Sequence, residues 1–289
     1  MFLPRKILED KLRTMLAEDI GQGDITTALI DPAETTVEAE VISKESGIAA
    51  GIEEAKVLLE SLNIKAEPLV TDGARVKSKQ VLMKISGDAR TILSVERTLL
   101  NVLSRMSGIA TMTRNLIGKI RNSGVKARVA CTRKTAPGLL YFDKKAVQVG
   151  GGDTHRLHLD DMILIKDNHI VVAGSLKEAV GKAKENASLS KKIEVEVTNI
   201  EDVLTAAEAD VDIIMLDNFS QRQIEKAVGL LKKKKLYGKA LLEASGGITA
   251  ENILSFSSTG VDIVSLGAIT QSAKTLDISL EIKRIKKQS

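Results

Sequence analysis

From about Ser107 onward the chain repeats one pattern, a short aliphatic run followed by an amphipathic stretch long enough for a helix. The aliphatic runs are residues 127–131, 162–165, 193–197, 213–216, 240–242 and 263–266. Helical spacing separates most of them, at 176–187, 200–209, 221–231 and 250–258. Strands that alternate with helices are joined by crossovers and lie parallel, which narrows the fold to an open doubly wound sheet or an α/β barrel. The residues that end the runs decide between these: Arg133 and Lys134, Lys166, Glu196, Asp217, Ser245-Gly246-Gly247, and Gly267. A barrel brings all its strand carboxyl ends to one rim, whereas an open sheet gathers only those beside its switch point. Polar residues at six successive strand ends therefore predict a barrel or near-barrel.

The first hundred or so residues have a different rhythm. An amphipathic charged helix is expected over residues 1–20, with its clearest spacing at 7–17, followed by a turn at 21–27 whose Asp or Thr caps the next segment. A half-buried strand fits 36–42, a helix fits 52–62, and a strand pair fits 70–76 and 80–85, with Asp72-Gly73 as a turn. In a helix over 89–103, Ile92, Val95, Leu99, Val102 and Leu103 share one face and Arg97 lies off it. This half predicts an α+β sandwich domain over 1–107, followed by the barrel domain over 108–272. The tail, about 273–289, is expected to pack back on the first domain.

Composition removes several classes of function. The chain of 289 residues has no Trp, two Tyr and four Phe, so its core is aliphatic, as buried parallel strands require. A net charge of +4 rests largely on Lys232–Lys235 and on the tail Lys283-Arg284-Ile285-Lys286-Lys287. Without interleaved aromatic residues for base stacking, these runs read as solvated helix ends and not as a nucleic-acid surface. The one cysteine, Cys131, excludes an internal disulfide and fits a reducing compartment; its alternation marks it as a small strand residue. With no apolar run near the roughly 18 residues that cross a bilayer and no signal-peptide core, the protein is expected to be cytoplasmic.

The chemistry gathers between residues 132 and 169. Thr132-Arg133-Lys134-Thr135, Gly150-Gly151-Gly152-Asp153-Thr154-His155-Arg156 and Leu164-Ile165-Lys166-Asp167-Asn168-His169 place two arginines, two lysines and two histidines at strand ends and glycine loops. So dense a positive charge calls for a ligand with several negative charges. His155 and Arg156 read as a donor pair for a carboxylate; His158 and His169 read as buried, hydrogen-bonded histidines. No ligand spacing supports a protein-bound zinc site. The loops Ser245-Gly246-Gly247 and Leu266-Gly267-Ala268 follow the last two strands, where a barrel holds a phosphate on backbone amides. Glu196 and Asp217 end two successive strands. They suit Mg²⁺ carried by a phosphorylated substrate, a developing cation, or a salt bridge with Lys166 or Lys134. Glu194, on the same strand face as Glu196, is a weaker candidate.

These motifs, with Glu194-Val195-Glu196-Val197, Leu216-Asp217-Asn218-Phe219 and Glu243-Ala244-Ser245-Gly246-Gly247-Ile248, resemble the quinolinate phosphoribosyltransferase family. The likeness covers nearly the whole chain, including Asp19-Ile20-Gly21 through Thr27 and Glu96-Arg97 through Thr111. It implies an N-terminal sandwich domain plus an incomplete α/β barrel of TIM type, and a pentosyltransferase of NAD biosynthesis. Such an enzyme moves phosphoribosyl from phosphoribosyl pyrophosphate to quinolinate, releasing pyrophosphate, CO₂ and nicotinate mononucleotide. The resemblance assigns the two carboxylates of quinolinate to Arg133, His155, Arg156 and Lys166, with Arg97 from the partner subunit of a homodimer. It assigns the phosphorylated substrate to Lys134, the ribose and Mg²⁺–pyrophosphate to Glu196 and Asp217, and the 5′-phosphate to Ser245, Gly246, Gly247 and Gly267. A hexamer of such dimers is a further assembly it allows. One departure is Gln271, where many members carry His. A relative of the molybdate-operon type, acting on another anionic acceptor, shares the Thr-Arg-Lys-Thr signature. A Schiff-base aldolase using Lys166 is the rival of a different class.

Overall fold

The computed structural model describes residues 3–30 and 35–286. In chain order its elements are α1 (Arg5–Ile20), α2 (Ile25–Ile30), β1 (Thr36–Ser43), β2 (Gly47–Ile48), α3 (Ile52–Ser61), β3 (Lys65–Pro68), β4 (Arg75–Val76), β5 (Gln80–Asp88), α4 (Ala89–Asn122), β6 (Arg128–Cys131), α5 (Leu140–Gly150), β7 (Ile163–Ile165), α6 (Asp167–Ala173), α7 (Leu176–Asn186), β8 (Ile193–Val197), α8 (Ile200–Glu208), β9 (Ile213–Asp217), α9 (Gln221–Lys233), β10 (Leu241–Ser245), α10 (Ile253–Ser257), β11 (Ile263–Leu266), α11 (Ala268–Gln271) and β12 (Ile278–Lys286). The chain divides into two compact units. The first holds the described residues up to Met112, Tyr141–Gly151 and those from Ala273; the second holds Thr113–Leu140 and Gly152–Ser272. Helix α4 runs through the division. Met1 and Phe2 of the expected first helix, and Lys287 with the last two residues of the tail, lie outside the described residues.

The first unit is built on an antiparallel sheet in the order β12-β1-β5-β3. Strand β1 alternates as a half-buried strand must, with Val37, Ala39 and Val41 buried and Glu38 and Glu40 turned the other way. Helix α1 buries Leu8, Leu12 and Leu16, one residue per turn. Asp24 Oδ1 accepts a hydrogen bond from Thr27 N at 3.0 Å, which caps α2. The tail enters this sheet as β12, antiparallel to β1.

Three features depart from the sequence expectations. The pairing of 70–76 with 80–85 is corrected: β4 pairs with β2, while β5 pairs with β1 and β3. The Asp72 carboxylate explains why, since its Oδ1 accepts from Ile52 N at 2.9 Å and ties this loop to the start of α3. Helix α4 continues well past residue 103, because Met106, Ile109, Ala110, Leu116, Ile117 and Ile120 extend its buried stripe. Helix α5, lying between two strands of the parallel sheet in sequence, belongs to the first unit. Charge holds it there: Arg105 clasps the buried Asp143 through two bonds of 2.7 and 2.8 Å. Lys145 likewise donates to Glu54 at 2.7 Å and to Glu53.

The second unit carries six parallel strands in the order β6-β11-β10-β9-β8-β7. No ladder joins β6 to β7 among the described residues, so this is an open barrel. Its strands are nearly continuous apolar runs, as in β9, where Ile213, Ile214, Met215 and Leu216 are all buried. The intervening helices begin at side-chain caps: Ser175, Asn199 and Ser220 accept from Glu178 N, Asp202 N and Gln223 N. Register then sets the functional layers. Glu196 pairs with Met215 and Met215 with Glu243. Asp217 pairs with Ser245 and Ser245 with Ser265. Paired residues project to the same face of a sheet, so side chains from β8 to β11 point together. No helix among the described residues is long and apolar enough to cross a membrane.

Ile214 is fully buried on β9, the strand between β8 and β10. Ile214→Ala should cost about 2–5 kcal/mol of stability through the cavity it leaves. Urea unfolding checks this, and an unchanged midpoint would mean that β9 is not a core strand.

Candidate active site

At the carboxyl ends of the parallel strands the second unit opens into a cleft of about 580 Å³. Its lining includes Arg133, Lys134, His155, Arg156, Lys166, Glu196, Asp217, Ser245, Gly246 and Gly247. Ten of the expected site residues are therefore in one place. Gly267 adjoins them, since a Cβ there would come within 3.1 Å of Lys134 Cδ and 3.5 Å of Thr132 Oγ1. Arg97 is not among the lining residues; it is exposed on α4 within the first unit.

Each strand end delivers its side chain for a local reason. Beyond β6, Lys134 N donates to Thr132 Oγ1 at 3.2 Å, and Thr270 Oγ1 donates to Lys134 O at 2.8 Å. The Thr132–Thr135 turn is thus tied to α11. Asp153 bridges to Ala130 at the edge of β6, and its Oδ1 accepts from His155 N at 2.8 Å. His155 itself has φ +52°, a left-handed backbone that non-glycine residues adopt at a cost of about 1 kcal/mol. Lys166 is the N-cap of α6, and its N–H donates to His169 Nδ1 at 2.9 Å. His158 and His169 are exposed, which corrects the expectation of two buried histidines. The first emerges on a surface loop, and the second closes a helix cap from outside.

In the Ser245-Gly246-Gly247 loop, Gly246 leaves no room for a side chain. Gly246 has φ +89°, and a Cβ there would meet Asn218 Cγ at 2.7 Å and Asn218 N at 2.8 Å. Asn218, at φ +55°, donates its own N–H to Ser245 O at 2.8 Å and its Nδ2–H to Asp217 Oδ2 at 2.7 Å. The loops after β9 and β10 are therefore locked to each other. Gln271, the departure from the family pattern, is exposed and brings its Oε1 within 3.6 Å of where a Gly267 Cβ would stand.

Electrostatics set the character of the cleft. Arg156 has a pKa below the usual guanidinium range, because burial strips its water and Arg133 stands nearby with the same charge. Two cations that destabilise each other favour an anionic ligand. Lys166 Nζ donates to Glu196 Oε2, so the salt bridge left open by the sequence does form. Beneath the cleft, His155 Nε2 lies 3.3 Å from Glu194 Oε2 and 3.2 Å from Glu243 Oε2. Burial alone would push this imidazole down, but the two carboxylates outweigh it and raise its pKa from 6.5 to about 10. Burial raises the Glu194 carboxyl, with His155 opposing. Sequence reasoning missed Glu243 and ranked Glu194 low. The signal was available: Glu243 is two residues before Ser245 on the same strand, so it shares that inward face.

The family model described as quinolinate phosphoribosyl transferase, C-terminal domain, matches residues 109–281, and the N-terminal domain model matches residues 24–107. The chain belongs to the quinolinate phosphoribosyltransferase family. A protein of Methanothermobacter thermautotrophicus named probable nicotinate-nucleotide pyrophosphorylase [carboxylating] is 44% identical over 278 residues, covering 96% of this chain and 99% of that protein. One of the same name from Methanocaldococcus jannaschii is 46% identical over 275 residues, covering 94% and 96%. The crystal structure of NadC from Streptococcus pyogenes superposes with a TM-score of 0.89 at 36% identity, covering 99% of both chains. The open barrel and the sheet unit before it are thus those of the quinolinate phosphoribosyltransferase family.

Two outcomes follow for this member of the family. Gly246→Ala should abolish turnover and lower thermal stability, whereas Gly246→Ala with wild-type kinetics would remove the Ser245-Gly246-Gly247 loop from the site. His155, with its pKa raised, contributes ion-pair stability that is complete below about pH 6.5 and fades as pH rises through about 10. Urea unfolding across that window should show the decline in the parent protein and a flatter profile in His155→Gln.

Proposed function

We propose that this chain is the carboxylating nicotinate-nucleotide pyrophosphorylase of NAD biosynthesis, using quinolinate and phosphoribosyl pyrophosphate. One observation carries the reading: Arg133, His155, Arg156 and Lys166 converge on the same cleft as the Ser245-Gly246-Gly247 loop. A dicarboxylate and a sugar phosphate thus find their partners in one cavity. Arg133, His155, Arg156 and Lys166 hold the two carboxylates of quinolinate, and Arg can do so in bidentate fashion. Lys134 contacts the phosphorylated substrate, and Ser245, Gly246, Gly247 and Gly267 cradle the 5′-phosphate.

The pyridine nitrogen bonds to the anomeric carbon as the carbon–oxygen bond from that carbon to pyrophosphate breaks, through a loose transition state of oxocarbenium character. Glu196 and Asp217 stabilise the positive charge that develops on the ribose. Their hard oxygens also suit Mg²⁺ brought in on the pyrophosphate, with Asp217 already oriented by Asn218. That ion, when bound, neutralises charge on the leaving group. Once the ring nitrogen is ribosylated and positive, it holds the carbanion left as the 2-carboxylate departs as CO₂, and a proton from water on that carbon completes nicotinate mononucleotide. Quinolinate entering the cleft offers Lys166 a better partner than Glu196, which frees Glu196 for the second substrate. The aldolase reading fails on this same pair: an ion-paired lysine whose side chain is 43% exposed is not the neutral, desolvated amine a Schiff base needs.

Assembly follows from Arg97, which this reading places in the active site of a partner subunit. The exposed Ile25, Leu29 and Ile30 on α2 of the same unit support a homodimer, since apolar clusters of that kind mark protein contacts. Hexamers of such dimers extend the same reading. The single buried Cys131 suits the reducing cytoplasm, where we place the enzyme.

Purified protein given phosphoribosyl pyrophosphate and Mg²⁺ should convert quinolinate, but not nicotinate, to nicotinate mononucleotide; equal use of both acceptors would refute the two-carboxylate pocket. Arg133→Ala and Lys166→Ala should each lower kcat/KM by about a hundredfold or more with little change in Tm. Mixing inactive Arg97→Ala and Lys166→Ala subunits should restore about a quarter of the activity, since each mixed dimer has one intact site. No recovery would exclude a shared site.

A further inference from the structure

Two carboxylates stand beside the cations of the cleft: Glu243, which is among its lining residues, and Glu194, which is not. Glu194 and Glu243 are completely buried. None of their four carboxylate oxygens has a well-aligned hydrogen bond among the described residues. A buried carboxylate without compensation costs several kcal/mol, so a pair of them needs a counter-charge. The cation beside both is His155, whose Nε2 stands 3.3 Å from one and 3.2 Å from the other. They reach it from β8 and β10, two strands separated by β9. On its third side Asp153 fixes the backbone N–H of His155 and with it the left-handed turn. With Nε2 committed to the carboxylates, no protein hydrogen bond engages Nδ1 among the described residues, and the ring lines the cleft.

We propose that Glu194 and Glu243 are positioning residues that keep His155 doubly protonated, Nε2–H toward the barrel interior, so that Nδ1–H serves the cleft as a charged donor to an acceptor carboxylate. The inference rests on the acceptor pocket assigned above. Tautomer chemistry supplies the reason. A neutral imidazole whose Nε2–H meets the carboxylates turns a bare Nδ1 lone pair to the cleft, and that lone pair repels an anion. The second proton converts repulsion into a charge-assisted bond. The charged groups around His155 are Glu194, Glu243, Asp153 and Arg156, and Arg156 in turn faces Arg133 and Glu196. The raised pKa of His155, about 10, agrees with the geometry. The buried pair thus becomes a determinant of selectivity for an acceptor with an anionic group at this point over its amide.

Glu194→Gln, Glu243→Gln and the double variant, made in the full chain beside His155→Ala, test this. Each glutamine should raise KM for quinolinate about tenfold, with KM for phosphoribosyl pyrophosphate within about twofold. Nitrogen NMR of the imidazoles gives a readout that a merely structural role would not move. The chain has three histidines, so substitutions at the exposed His158 and His169 assign His155. At about pH 8 the parent should show His155 doubly protonated and the double variant should show it neutral. A neutral His155 in the parent overturns the proposal even if no variant folds. So does a raised quinolinate KM in His155→Ala with the glutamine variants unchanged. An unchanged KM in His155→Ala removes the pocket assignment itself, and the proposal with it. Because one ligand atom from each of the three side chains lies within 4.8 Å of the others, Zn²⁺ is the remaining control. Stoichiometric Zn²⁺ uptake lost in Glu194→Gln would replace the proposal with a metal site.

Discussion

Cations do not gather unaided. Arg133 and Arg156 each make the other's charge less favourable, and Lys134, His155 and Lys166 line the same cleft. Such a cluster persists only if covalent geometry and buried counter-charge hold it. The open barrel provides both: strand ends that cannot move apart without breaking a parallel ladder, and carboxylates one layer below the rim. Glu194 and Glu243 balance His155 from beneath, and Glu196 occupies Lys166 from the side. What remains uncompensated is turned toward the cleft, where a doubly anionic substrate completes it. Electrostatic preorganisation of this kind needs no large rearrangement when substrate arrives.

The rest of the structure serves that placement. The register of β8, β9 and β10 puts Glu196 and Glu243 level with Met215, and Asp217 level with Ser245. The carboxylates of Glu196 and Glu243 and the start of the glycine loop at Ser245 are therefore consecutive layers of one sheet. Asn218 locks the loops after β9 and β10 together, and Gly246 is the only residue type that fits against it. Thr270 ties the last short helix to the turn that carries Arg133 and Lys134. In the first unit, the buried Asp143 and Lys145 are drawn to Arg105 and Glu54. A segment from between two barrel strands is thereby built into the antiparallel unit.

Much of this was legible in the chain. Alternating aliphatic and amphipathic segments marked all six parallel strands, because buried parallel strands carry a signal that does not depend on partners. Polar residues at strand ends marked the site, since a barrel rim is where such residues are tolerated. Two of the failures share one physical cause, long-range pairing. Local sequence around Asp72-Gly73 looks like a hairpin turn, and only the distant Ile52 N–H shows why it is not one. Helix α5 is equally opaque, because its buried Asp143, Lys144 and Lys145 read as a surface until Arg105 and Glu54 are seen beside them. His158 and His169 were misjudged as buried because flanking apolar residues do not reveal which loop a histidine ends on. Glu194 and Glu243 were undervalued for the opposite reason: a charged residue in a strand is taken as a rim group until burial shows it to be a counter-ion.

The measurement that bears most directly on the account is a crystal structure of the protein with quinolinate bound. It should place the pyridine ring in the 580 Å³ cleft, with its two carboxylates on Arg133, Arg156, Lys166 and His155 Nδ1. Lys166 should be parted from Glu196, and Glu194 and Glu243 should remain on His155 Nε2. Quinolinate seated elsewhere, or a His155 ring that has turned to leave the buried carboxylates without a cation, would contradict it.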